Sequence, residues 1–164
     1  MNKAIVVFYS YSGNTEKIAH VLRNCLEELY QTDVIRLDSL DEPKSFFKQC
    51  WRALIKKTAV IKEDIRFDLK DYAVIAIGTP VWAFGPAPAV RTYLKKVKGL
   101  NGKKIVLFGT YGSGAGKDKC IETMTQELKD KEVKEIKSFL IQQFKVNAAD
   151  EVKDLINKVL KNEK

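Results

Sequence analysis

The chain has 164 residues, a formal net charge of +8, 45% hydrophobic and 30% charged residues. That size suits one domain, spanning 1–164, that buries its own core, and the composition is too apolar for disorder. No apolar run approaches the roughly 18 residues of a membrane span, and Ala4–Phe8 is too short for a signal-peptide core, so the expected address is cytoplasmic. The three cysteines, Cys25, Cys50 and Cys120, are widely spaced and form no Cys-x-x-Cys, which argues against a disulfide framework or a zinc site. A single histidine, His20, cannot build a multi-histidine metal centre. The positive charge is concentrated: residues 42–62 hold six basic side chains and one acidic one.

In chain order, Ala4-Ile5-Val6-Val7-Phe8 is the first of several short, wholly apolar runs. Such runs bounded by Gly, Ser or Pro read as strands buried on both faces, as in a parallel sheet covered by helices. A helical stripe follows in Ile18, Val21, Leu22, Cys25, Leu26 and Leu29, then a weaker strand over 33–37. Phe47, Cys50, Trp51, Leu54 and Ile55 form a second, core-facing helical stripe. Lys44, Lys48, Arg52, Lys56 and Lys57 lie opposite it as a basic face. Val74–Ile77 reads as the third strand, and Val90, Tyr93, Leu94 and Val97 as a helix with Pro86 and Pro88 near its first turn. Ile105–Phe108 is the fourth strand, Ile121, Met124 and Leu128 mark a helix, 136–144 is a fifth strand, and Val152, Leu155, Ile156 and Val159 close the chain. Alternating strands and helices with right-handed crossovers make an α/β, doubly wound, three-layer domain. Ligands of such sheets bind beyond the carboxyl ends of the strands, where strand order reverses. The loops after the first, third and fourth strands are therefore the ones to inspect.

The first loop is Ser10-Tyr11-Ser12-Gly13-Asn14-Thr15 and runs straight into a helix. Its hydroxyls, the Asn14 amide and the helix-start N–H groups can converge on one anion. It contains no Lys or Arg, which favours a monophosphate over a triphosphate, and it does not match Gly-x-Gly-x-x-Gly. The bland reading is a helix cap and nothing more.

These residues resemble the phosphate loop of the flavodoxin family, Ser/Thr-x-Ser/Thr-Gly-x-Thr, here Ser10-x-Ser12-Gly13-Asn14-Thr15. The resemblance implies a five-stranded parallel sheet of order 2-1-3-4-5 and non-covalent FMN. The third-strand loop, Gly78-Thr79-Pro80-Val81-Trp82-Ala83-Phe84-Gly85-Pro86, is similar in wording to that of small family members. It implies that Trp82 or Phe84 packs at the flavin ring and that backbone near Gly85 faces its N5 edge. The fourth-strand loop, Gly109-Thr110-Tyr111-Gly112-Ser113-Gly114-Ala115-Gly116-Lys117, is the expected cover of the ring's pyrimidine end. There Tyr111 would lie opposite Trp82. Gly116-Lys117 suggests a Walker A loop, but Tyr111 stands where its first glycine should be and Asp118 where its Ser/Thr should be.

The expected cofactor-binding set is therefore 10–15, 79–85, Thr110, Tyr111, Gly112, Gly114 and Gly116. The expected role is electron transfer to a redox partner, with an FMN-dependent NAD(P)H reductase of quinones or flavins as the alternative. With no carboxylate in these loops, the fully reduced couple is expected to be milder than in an acidic homologue. The basic helix reads either as a solvated face or as docking for an acidic partner near Lys44, Lys48, Arg52 and Lys56. No nucleic-acid signature or lipidation motif accompanies its charge, and a monomer is expected, with a dimer as the alternative.

Overall fold

The computed structural model describes residues 2–41, 45, 47–48, 51, 58–62 and 64–161. Most of the basic segment, including Lys44, Cys50, Arg52, Leu54, Ile55, Lys56 and Lys57, lies outside the described residues. The described elements are β1 (Lys3–Phe8), α1 (Asn14–Glu27), β2 (Gln31–Arg36), β3 (Tyr72–Trp82), β4 (Gly85–Pro86), α2 (Pro88–Lys96), β5 (Lys104–Tyr111), α3 (Lys117–Glu127), β6 (Glu135–Gln142) and α4 (Ala149–Lys161). Five strands form a parallel sheet in the order β2-β1-β3-β5-β6, and the two-residue β4 pairs antiparallel with β3. Without that short strand, the order is the expected 2-1-3-4-5.

Alternation along each strand fills two cores. Ile5, Val7, Ile75, Ile77, Ile105 and Leu107 pack under α2 and α3, while Val6, Phe8, Ala76, Val106 and Phe108 pack under α1 and α4. Strands buried on both faces must be apolar at every position, which is why β1, β3 and β5 read as unbroken runs. β2 lies at the sheet edge and is only half-buried, so its sequence signal is weaker. Cys25 and Cys120 are core residues, and burial pushes the Cys120 thiol up to about 12.

Three helical expectations change. Leu29 lies past the end of α1 and is exposed, as is Leu155 on α4. Phe47 and Trp51, expected to face the core, are 85% and 62% exposed. Ala59 is tied to α2: its N–H donates to Thr92 Oγ1 at 2.9 Å and its carbonyl accepts from that hydroxyl at 2.8 Å.

One glycine fixes the sheet interior. A Cβ on Gly78 would lie 2.1 Å from Cζ of Phe108, its partner on β5, and that ring stacks on Phe139 at 5.7 Å. Phe108 is fully buried, so it has no free space to move into. Gly78→Ala is therefore expected to cost about 1–3 kcal/mol, read as a lower urea midpoint with an unchanged slope.

Candidate functional site

β1 leaves the sheet towards β2 on one side while β3 lies on its other side, so the loops after β1, β3 and β5 diverge around a crevice. A cavity of about 440 Å³ opens there, lined by Tyr11, Ser12 and Thr15, by Pro80, Val81 and Trp82, and by Thr110, Gly112, Ser113 and Gln143. None of these side chains is charged. The size falls within the range of small-molecule and cofactor sites.

The first loop is built as a donor cradle. Gly13 takes φ +84° to turn the chain into α1. The first N–H groups of a helix have no intrahelical partner. Among them, the Glu16 N–H donates to the buried Ser10 Oγ at 3.3 Å. Asn14 Nδ2 donates to Ser12 Oγ at 3.2 Å, and Thr15 Oγ1 is 2.8 Å from Thr110 Oγ1 in a buried hydrogen bond. That last contact ties the β1 loop to the end of β5 across the crevice. A cation also serves this loop from outside it: Arg36, ending β2, contacts both Glu16 carboxylate oxygens at 3.1–3.2 Å and donates to the Ser10 carbonyl at 3.2 Å. Nothing in the loop's own sequence points to Arg36, because parallel pairing with β1 brings it there. Lys17, the nearest cation in sequence, instead donates to Asn147 Oδ1 at 2.8 Å.

The segment after Ile77 is not a loop. β3 continues through Trp82, and Ala83-Phe84 form a two-residue turn onto Gly85-Pro86. Both turn residues have positive φ, +45° and +67°, as a type I′ hairpin turn requires. That turn favours Asn-Gly, so Ala83 and Phe84 hold strain of order 1–3 kcal/mol each. Gly85 is a close-contact position: a Cβ there would meet Arg91 Nη2 at 3.1 Å. Thr79 is fully buried; its Oγ1 accepts from the Ala87 N–H at 2.9 Å and donates to the Pro80 carbonyl at 3.0 Å. It closes the hairpin base and does not line the cavity.

Trp82 is only 6% exposed, with its ring edge-on to Tyr9 at 5.6 Å and Tyr11 at 5.8 Å. Tyr11 and Phe84 are about half exposed and supply aromatic surface around the hairpin. Tyr111 does not stand across the cavity from Trp82. Strand alternation sends Thr110 to one face and Tyr111 to the other. There, Tyr111 lines a separate cavity with Leu140, Gln142 and Leu155, and Lys117 Nζ lies 5.6 Å from its ring centre. In the third loop, Gly114 and Gly116 take φ +86° and +73°. The Gly112 carbonyl accepts from Gln142 Nε2 at 3.0 Å. Gln143, just past β6, completes the cavity wall, and no motif in the sequence announced it.

A larger cavity, about 510 Å³, runs along the β2 edge. Several of its charges pair with one another, as in Arg66–Asp33 at 3.5 Å and Lys62–Asp38 at 3.0 Å. It lies away from the three converging loops.

The profile of the flavodoxin family matches residues 3–159. Among solved structures, a candidate flavoprotein from Bacteroides eggerthii is 18% identical, with a TM-score of 0.73 over 98% of this chain and 99% of that one. An NADH:FMN oxidoreductase in its apo form is 17% identical, with a TM-score of 0.67 over 97% and 87%. The two-electron reduced flavodoxin of Megasphaera elsdenii is 21% identical, with a TM-score of 0.61 over 96% and 98%. At these identities the likeness is one of fold.

The Phe84 ring sits where a Gly116 side chain would go: a Cβ there would be 1.9 Å from Phe84 Cδ1. Gly116→Ala is expected to cost about 1–3 kcal/mol through its positive φ and this overlap. A double-mutant cycle with Phe84→Ala should recover the overlap part; additive losses would show that the two loops do not touch.

Proposed function

The chain belongs to the flavodoxin family, and from that premise we propose that it binds FMN non-covalently and passes low-potential electrons to a redox partner protein. One observation carries the reading. A loop of neutral donors at a helix N-terminus opens onto an uncharged cavity at the sheet's switch point. Helix-start N–H groups favour an anion at that end, and the hydroxyls of Ser12 and Thr15 lie in the same wall. This set suits one phosphate group better than a polyphosphate, which recruits a lysine and a metal ion.

A bound flavin supplies one- and two-electron redox chemistry, and the protein supplies binding, orientation and electrostatics. Ser10 caps α1 and keeps the phosphate loop in shape, helped by Arg36. Thr15 and Thr110 fix the distance between the phosphate loop and the ring loop. Trp82, Pro80 and Val81 would give the ring an apolar wall, and Tyr11 and Phe84 would shield its rim from water. The Gly112–Gly116 loop lets backbone N–H groups approach the ring's pyrimidine end. Docking of an acidic partner is proposed near Lys44, Lys48, Arg52 and Lys56; Lys48 is exposed, with the exposed Phe47 beside it.

The second reading, an FMN-dependent NAD(P)H reductase, draws on the fold shared with an NADH:FMN oxidoreductase. The two separate in one experiment on the FMN-loaded protein. A carrier takes electrons from dithionite but oxidises NADPH and NADH no faster than free FMN does, with or without a quinone. Catalytic turnover of either nucleotide would replace the carrier reading with the reductase. Thr15→Ala is expected to weaken FMN binding by about 1–3 kcal/mol while Thr15→Ser retains it, measured by fluorescence titration. Electron delivery to the partner should slow as salt rises, and Lys48→Glu should reproduce that loss at low salt.

A further inference from the structure

One buried polar side chain stands apart. Arg91, on α2, is 4% exposed, and its Nε has no hydrogen-bond partner among the described residues. Its nearest carboxylate is Glu127 at the end of α3, with Nη1 to Oε1 at 3.8 Å, too long for a hydrogen bond. Glu127 is 24% exposed and shares its charge with water. Cys120, also packed on this face, keeps its proton because of burial and offers no countercharge. A guanidinium carries a positive charge, and among the described residues this one is only partly compensated. Burying a charge with partial compensation opposes folding.

Its position suggests what it does serve. Arg91 Nη2 lies where a side chain on residue 85 would begin, so Gly85 lets the guanidinium rest against the hairpin backbone. Gly85 pairs with Trp82, which lines the uncharged cavity. The hairpin thus touches the cavity through Trp82 and the buried cation through Gly85.

We propose that Arg91 is a positioning residue that tunes the redox site, favouring the negative charge that full reduction leaves on the cofactor. The inference rests on the FMN reading above. Full reduction adds two electrons and one proton to FMN, with dithionite as the donor oxidised to sulfite, and leaves one net negative charge on the ring. With no carboxylate lining the cavity, a cation held against the far side of the hairpin would meet little competition there.

The test is potentiometric reductive titration of the FMN-loaded wild type, Arg91→Met, Arg91→Lys and Glu127→Gln, with oxidised-FMN affinity measured alongside. Arg91→Met should weaken binding of fully reduced FMN relative to oxidised FMN by roughly tenfold. That is a fall of about 30 mV in the two-electron midpoint. Arg91→Lys should stay near wild type. Glu127→Gln removes the partial countercharge and should move the midpoint upwards. Opposite shifts are what a packing role would not produce. FMN bound by all variants with midpoints unmoved, or moved in the same direction, overturns the inference and leaves the FMN reading intact. A wild type that binds no FMN overturns both. If Arg91→Met does not fold, Glu127→Gln decides alone, and an unshifted or lowered midpoint overturns the proposal.

Discussion

The reversal of strand order at β1 is the constraint on which the rest of the molecule depends. Parallel strands send every connection out at the same edge, and neighbours whose connections turn to opposite sides leave a gap that no element fills. Here β1 hands the chain to β2 while β3 pairs on its other flank, with the Tyr9 N–H donating to the Gly78 carbonyl at 3.1 Å as the strands part. The phosphate-loop candidate, the hairpin and the glycine-rich loop meet at that edge. The buried Thr15–Thr110 hydrogen bond spans the gap and holds two of the three together.

Around this gap the polar chemistry is unevenly distributed. The cavity wall holds hydroxyls, an amide, backbone and aromatic rings but no charge. The charges stand one layer back: Arg36 with Glu16 behind the first loop, and Arg91 with Glu127 behind the hairpin. A neutral wall keeps desolvation cheap when a flat conjugated ring enters. Under the proposed FMN reading, charges behind it would still act on the ring, because field lines through protein are screened less than through water. No charged residue lines the cavity, and the densest stretch of the overall charge of +8, residues 42–62, lies elsewhere in the chain.

Much of this was legible in the residues, for physical reasons. Runs such as Ile5–Val7 and Ile105–Phe108 are apolar at every position because both sheet faces are covered, and few other environments select so short a run without a polar interruption. Ser10-x-Ser12-Gly13-Asn14-Thr15 was legible because a positive-φ glycine between short polar residues does one local job. The hairpin was not. Gly78-Thr79-Pro80 looks like a loop opening, yet Gly78 is in the sheet to admit Phe108, and Thr79 is a buried brace. Ala83-Phe84 carries none of the usual I′ turn residues, so tertiary contacts impose the turn. Gln143, Arg36 and the turning away of Tyr111 depend on register and on which face a residue takes. Windows of local sequence do not carry that information. Phe47 and Trp51 had the spacing of a buried stripe and are exposed, since periodicity identifies a face without saying what covers it.

The proposed function rests on the β1 loop binding a single phosphate next to a neutral ring pocket. Fluorescence titration of the cofactor-free protein with FMN and with riboflavin tests it most directly, because the two ligands share the ring and differ in the phosphate. Saturable quenching by FMN is expected, with riboflavin at least about tenfold weaker through the loss of one or more charge-assisted hydrogen bonds. Equal affinity for the two ligands, or no binding of FMN, would contradict it.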